Sequence, residues 1–231
     1  MALTLIKISQ MITDIAEIVE LDINPLLADD TGVLALDARI KVAVPTVKLG
    51  TRRLAIRPYP KKLEERVKLN DGREYQLRPV RPEDESIVHR MFEKMTPEDI
   101  RLRFFAPMKR LSHQMAARLT QIDYDREMAL VAVAPNEDGQ EELYGIVRIA
   151  ADPDNQKAEY AVMVRSDMKG KGLGYVLMTR IINYARSRGI GEVYGEVLRE
   201  NTTMLGMCHE LGFTRKENRD EPGVVEVTIK M

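Results

Sequence analysis

Glu159-Tyr-Ala-Val-Met-Val-Arg-Ser-Asp-Met-Lys-Gly-Lys-Gly-Leu-Gly174 is the stretch from which the rest of the chain can be read. Its first half alternates, with Ala158, Tyr160, Val162 and Val164 set against Glu159, Ala161 and Met163, the period of a strand. Gly170, Gly172 and Gly174 then break it into a turn. Leu177, Met178, Ile181, Ile182 and Ala185 follow at helical spacing on one face, and Gly189 stands where a helix would end. Strand, glycine-rich turn and helix start together make an anion cradle. The first turn of a helix carries N–H groups without internal partners and the positive end of the peptide dipoles. Glycines let a phosphate approach that backbone closely, and Lys169 and Lys171 stand beside it. The expected ligand carries a di- or polyphosphate.

Spacing narrows the choice. A nucleoside-triphosphate loop needs Ser or Thr after Gly-Lys, but Gly172 follows Gly170-Lys171. A dinucleotide fingerprint needs G-x-G-x-x-G, and the chain has G-x-G-x-G. Lys169-Gly-Lys-Gly-Leu-Gly174 instead resembles the pyrophosphate loop of the GNAT N-acetyltransferases, with Lys169 where Arg or Gln is usual.

The 231 residues are 44% hydrophobic and carry a net charge of −1, enough for one sizeable core and a smaller piece, with no electrostatic case for nucleic acid or a membrane surface. No apolar run is long enough to span a bilayer. The single cysteine, Cys208, excludes an internal disulfide and a cysteine-rich metal site, and suits a reducing cytoplasm. No metal site is expected: His89, His113 and His209 lack paired spacing and read as surface helix residues.

Residues 1–45 are acidic, with three basic and seven acidic side chains, and read as one helix and two strands. Apolar alternation at Val19, Leu21 and Ile23, and again at Leu34, Leu36, Ala38, Ile40 and Val42, marks the strands. So small a piece is expected to need cover from the other domain or from a second copy in a homodimer. Glu20-Leu-Asp-Ile-Asn-Pro-Leu26 and Leu36-Asp-Ala-Arg39 resemble the closing segment of the ATP-grasp half of acyl-CoA synthetases. In that family the residues matching Asn24 and Asp37 help hold metal and nucleotide. A hairpin alone closes no nucleotide cleft, so the segment reads as a remnant or the end of a cut, with a packing role. Residues 46–65 read as a basic, proline-interrupted linker.

A second domain is expected over residues 66–231. Asn70-Asp71-Gly72 marks a hairpin, and helices start at Pro82, Thr96 and Ser112. Strands are expected at 128–134, 143–150 and 158–164, a helix at 174–188 and a strand at 193–197. A helix capped by Asn201 and the strands 213–216 and 224–230 complete it. This order, with Asn201, Met204 and Leu211-Gly-Phe213 as a second motif, is similar to the GNAT order. The implied fold is α+β: a mixed, mostly antiparallel central sheet flanked by helices. With the ATP-grasp-like segment, and with Ile56-Arg-Pro-Tyr-Pro60 and Arg165–Lys169, the chain resembles bacterial protein-lysine acetyltransferases fused to a synthetase-like half.

The resemblance implies direct acetyl transfer from acetyl-CoA to an amine, here a protein lysine. Only about one lysine in a thousand is neutral at pH 7, so a base is needed. Glu159 matches the family's glutamate base and sits among Ala, Tyr, Val and Met, an apolar setting in which a carboxylate becomes a stronger base. The coenzyme is implied to lie against Val162, Met163 and Val164, whose strand splays from its neighbour. Lys169, Gly170, Lys171, Gly172, Leu173 and Gly174 would hold its diphosphate, with Asn201, Met204 and Cys208 along its arm. Many members place a tyrosine, as acid for the leaving thiolate, where this chain has Cys208. That residue reads as a buried thiol, and water can protonate the thiolate. The acids of Asp123-Tyr-Asp-Arg-Glu127 either attract a basic peptide or merely form a polar loop, and Phe104 and Phe105 either wall the acceptor pocket or fill core. A small-amine acetyltransferase, a coenzyme-sensing module and an ATP-dependent ligase fragment are the rivals.

Overall fold

The computed structural model describes residues 2–30, 32–44, 58–217 and 221–231. Most of the expected linker, residues 46–57, lies outside them. The chain divides into two units, Met1–Tyr59 and Pro60–Met231.

In the first unit, helix α1 (Ala2–Asp14) precedes strand β1 (Ile18–Ile23), which pairs antiparallel with β4 (Ala38–Val42). Between them lies a small hairpin of β2 (Leu26–Ala28) and β3 (Val33–Ala35). The two strands expected here are therefore four. Pro25 has no N–H to give, and the ladder is interrupted there and at the facing Leu36-Asp37, although Leu36 N–H still reaches the Pro25 carbonyl at 3.1 Å. Only Thr13 and Ile18 are buried among the unit's described residues, while Leu5, Ile6, Leu27, Leu34, Leu36 and Ile40 are exposed. The unit is too small to close a core of its own.

In the second unit, eight strands form one sheet. In chain order they are β5 (Glu65–Lys68), β6 (Glu74–Pro79), β7 (Glu127–Pro135), β8 (Glu141–Ala151), β9 (Lys157–Val164), β10 (Glu192–Leu198), β11 (Thr214–Glu217) and β12 (Val224–Lys230). Their spatial order is β11-β12-β10-β9-β8-β7-β6-β5. Every neighbouring pair is antiparallel except β9 with β10, which α5 (Leu173–Ser187) joins as a parallel crossover. Helices α2 (Glu85–Glu93), α3 (Pro97–Phe104) and α4 (His113–Thr120) lie between β6 and β7 in sequence, and α6 (Thr202–Glu210) follows β10. Thr96 and Ser112 cap α3 and α4 through their hydroxyls, as their residue types suggest.

Both faces of the sheet are covered. Along β7, Met128, Leu130 and Ala132 point to a core shared with α5 and α6, and Ala129, Val131 and Val133 to one shared with α2 and α4. That is why this strand reads as an uninterrupted apolar run rather than an alternation. Leu177, Met178 and Ile181 of α5 are fully buried, each contributing about 1.5–3 kcal/mol by area removed from water.

A buried ionic knot fixes the end of β9 just before the glycine turn. Arg165 donates to Glu142 at 2.6 Å and to Asp167 at 2.6 and 2.8 Å, its guanidinium lies 4.0 Å over the Tyr144 ring, and Lys94 donates to Glu142 at 2.6 Å. The Lys94 hydrogen bond, aided against desolvation by Arg165 and Asn136, pulls the Glu142 carboxyl from its ordinary 4.5 down to about 2. A folded-state value below the unfolded one stabilises the protein above the unfolded value, and that stabilisation is lost as pH falls through the folded one. Urea titrations should therefore show stability declining between roughly pH 5 and pH 2. Glu142→Gln should flatten that decline; an unaltered pH profile would remove Glu142 from it.

Candidate active site

The sheet opens at one place. β9 and β10 pair only from Glu192↔Lys157 to Tyr194↔Glu159, whereas β9 runs on to Val164 and β10 to Leu198. The two strands diverge beyond Glu159. On its other side β9 stays paired with β8 throughout, and Arg165 N–H donates to the Tyr144 carbonyl at 2.9 Å. Since N–H directions alternate along an antiparallel ladder, Met163 and Ala161 also face β8, while Val164 and Val162 turn their N–H groups into the opening. Of the three strand residues implied to meet the coenzyme, Val162 and Val164 thus offer backbone donors. Met163 contributes a mostly buried side chain.

The opening is a cleft of about 850 Å³, within the range of small-molecule sites. Glu159 to Val164 line one wall, Val197, Glu200, Asn201, Met204 and Met207 the other, and Lys169, Gly170, Gly172, Leu173 and Gly174 one end. Phe104 and Phe105, with Leu102 and Arg103, reach it from α3, so both phenylalanines wall the cleft.

The glycine turn has the geometry of an anion site. Gly170 and Gly172 have φ of +74° and +85°, and no side chain caps α5 at Gly172. The first N–H groups of α5 are therefore left to water or a ligand. Asn201, in contrast, uses its side-chain oxygen to cap α6, accepting from Met204 N–H at 3.1 Å, and its NH2 is the part that can reach a carbonyl in the cleft. An uncapped helix start, two β-strand donors and a cleft of this volume fit the diphosphate and amide-bearing arm of acetyl-CoA. A Cβ at Gly172 would meet only Asn70 Nδ2 at 3.7 Å, so the obstacle to a side chain there is the backbone conformation, worth about 1–2 kcal/mol. Gly172→Ala should raise the KM for acetyl-CoA by roughly 5- to 30-fold. Steady-state kinetics with an unchanged KM would detach this turn from the coenzyme.

Several expectations are corrected. Lys169 does not point a free charge at the turn: its ammonium pairs with Asp99 of α3. Burial pushes the Asp99 carboxyl up, but hydrogen bonds from Lys169, Ser166 and Thr96 outweigh it and hold the group below the usual range. Lys171 lies outside the cleft lining, its Nζ 3.7 Å from Met168 Sδ. Cys208 is buried, as expected of it, and is absent from the cleft lining where its place along the arm was implied, with Sγ 3.2 Å from Tyr160 Oη. Burial raises both the Cys208 thiol and the Tyr160 hydroxyl above their ordinary values. The acids at 123–127 are engaged internally: Asp125 pairs with Arg188 at 3.1 Å, Glu127 with Arg148 at 3.0 Å, and Asp123 accepts from Asp125 N–H at 2.9 Å.

Glu159 lies in the cleft at the last position where β9 pairs with β10, with its side chain exposed. Its surroundings are charged rather than apolar. The Arg103 and Arg148 guanidiniums both feel its charge, as does the Tyr194 hydroxyl, which desolvation first and Glu159 second push upward. Desolvation lowers Arg103 and Arg148 from the ordinary arginine value, and for Arg103 the repulsion of Arg148 adds to it. Sequence reading passed over these two arginines. They come from α3 and β8, and nothing local in either element marks them as neighbours of Glu159.

A family model described as the acetyltransferase (GNAT) family matches residues 92–213, and one described as an ATP-grasp domain matches residues 1–42. Acetyltransferase PA5475 of Pseudomonas aeruginosa is 34% identical over 153 residues, 66% of this chain and 82% of that protein. The solved GNAT domain of S. lividans PAT is 30% identical with a TM-score of 0.68, covering 75% of this chain and 99% of that one. The L-methionine sulfoximine/L-methionine sulfone acetyltransferase of Pseudomonas aeruginosa is 36% identical over 55 residues, 24% of this chain and 32% of that protein.

Proposed function

Because this chain belongs to the acetyltransferase (GNAT) family and is an acetyl-CoA-dependent transferase, we propose that it acetylates a small primary amine by direct attack, with Glu159 as general base. The observation that carries this reading is the position of Glu159 at the point where β9 and β10 part, next to the strand donors of Val162 and Val164. Attack forms the nitrogen–carbon bond and breaks the carbon–sulfur bond. Glu159 takes the amine's proton, directly or through a water, and water protonates the departing thiolate. In this reading Val162 and Val164 N–H groups donate to the thioester and amide carbonyls, the turn from Gly170 to Gly174 holds the diphosphate, and Asn201 steadies the arm.

The match to the methionine sulfoximine/sulfone acetyltransferase supports a small-amine acceptor. Protein lysine is the second reading, favoured by Glu196, Glu200 and Glu210 lining the cleft, acids that suit a basic peptide.

Incubation with labelled acetyl-CoA and panels of small amines and lysine-bearing proteins separates these readings by mass of product. N-acetylated small amines are the expected result. Saturable acetyl-CoA binding without any product would make the chain a coenzyme sensor instead.

A further inference from the structure

Arg103, Phe104, Ala161 and Met163 line both the cleft and a separate recess of about 20 Å³, room for one water. Val88, Leu119 and Ile146 give it apolar sides, and its polar lining is Arg103 and Arg148. Among the described residues no hydrogen bond or ion pair engages the Arg103 guanidinium, which lies 5.0 Å from the Phe104 ring centroid. Arg148 spends one nitrogen on Glu127 at 3.0 Å. A partly buried guanidinium with no carboxylate partner is costly unless something else supplies one. On β8 and β9, Arg148 faces Ala161 and Ala150 faces Glu159, so Arg148 stands diagonally across from the proposed base.

We infer that Arg103, backed by Arg148, forms a carboxylate-binding subsite and that the acceptor is a free amino acid, its amine at Glu159 and its carboxylate on the side of Arg103 that lines the cleft. The inference rests on the acetyl-transfer reading above and deepens it. Charge bookkeeping agrees. Arg103, Arg148, Glu127 and Glu159 sum to zero, but once Glu159 has taken the amine's proton they carry one positive charge. A substrate carboxylate on Arg103 cancels it. Guanidinium and carboxylate also match as a fork of paired hydrogen bonds, which the neutral carboxamide of the same amino acid reproduces poorly. The transfer itself is unchanged: nitrogen–carbon bond made, carbon–sulfur bond broken, proton to Glu159.

The test is kinetic and uses the whole chain. A panel of free L-amino acids is compared with their α-carboxamides and with lysine-containing peptides blocked at both ends, each with acetyl-CoA. The acids should exceed their carboxamides in kcat/KM by at least about tenfold, the size of one lost charge-assisted hydrogen bond. Arg103→Gln should bring that preference to within about threefold of unity, mainly through the KM of the acids. Equal rates for acids and carboxamides in the unsubstituted protein, or faster turnover of the blocked lysine peptides, would overturn the subsite and leave acetyl transfer standing. So would an Arg103→Gln variant that keeps the full preference. Acetyl-CoA binding without turnover of any acceptor would overturn both readings.

Discussion

Glu159→Gln is expected to lower kcat by roughly a hundred- to ten-thousand-fold, the range that a positioned general base contributes. Glutamine keeps the size and the polar tip of the side chain, so calorimetry should find the Kd for acetyl-CoA within about threefold of its starting value. The deficit should also narrow as pH rises from 7 towards 9. An alkylamine with a pKa near ~10.4 becomes more than ten times richer in its neutral form over that interval, and the variant then needs the carboxylate less. A kcat close to that of the unsubstituted protein would remove Glu159 from the chemistry. A loss that does not depend on pH would point to positioning. The effect is large because of where the side chain stands: Glu159 is the last residue of β9 paired with β10, and the strand beyond it lines the cleft.

What could be read from the sequence was whatever is encoded locally. The alternation at 158–164, the glycines at 170, 172 and 174 and the apolar stripe of α5 each lie within a few residues, and each gave the observed element. The same holds for the caps at Thr96, Ser112 and Asn201, where a short side chain satisfies an N–H three residues on. What could not be read depends on residues distant in the chain. Lys169 looked like a phosphate ligand because its pairing with Asp99 spans 70 residues. Glu159 looked apolar because its strand neighbours are, while its spatial neighbours Arg103 and Arg148 arrive from a helix and another strand. Cys208 was legible as a buried thiol from its apolar helix face, but not its contact with Tyr160, 48 residues away in the chain. In residues 1–45 the alternation was right in period and wrong in continuity, because a proline opposite Leu36-Asp37 divides the ladder.

Tyr160 and Gly195 explain how the sheet is held open, and they give the strongest stability prediction. One residue past the last β9–β10 pair, the Tyr160 ring lies against Gly195 of β10. A Cβ at that glycine would stand 2.5 Å from Tyr160 Cε1 and 2.9 Å from Cδ1 and Cζ. The ring cannot step aside, since Phe213 meets it edge-on at 5.4 Å between centroids and Cys208 Sγ stands 3.2 Å from its hydroxyl. An aromatic side chain thus fills the space where backbone pairing stops, and only glycine leaves room for it. Gly195→Ala should cost about 1–3 kcal/mol by overpacking, a fall in Tm of roughly 2–12 °C for a unit of this size. Gly195→Val should cost more and close part of the cleft, since the displaced ring lines it. If the clash is the cause, the penalty belongs to the pair. In a Tyr160→Leu background, Gly195→Ala should cost markedly less, a coupling of about 1 kcal/mol or more in a double-mutant cycle. Additive costs in that cycle would show that the wedge is not what parts the strands, and the opening beside Glu159 would then need another cause.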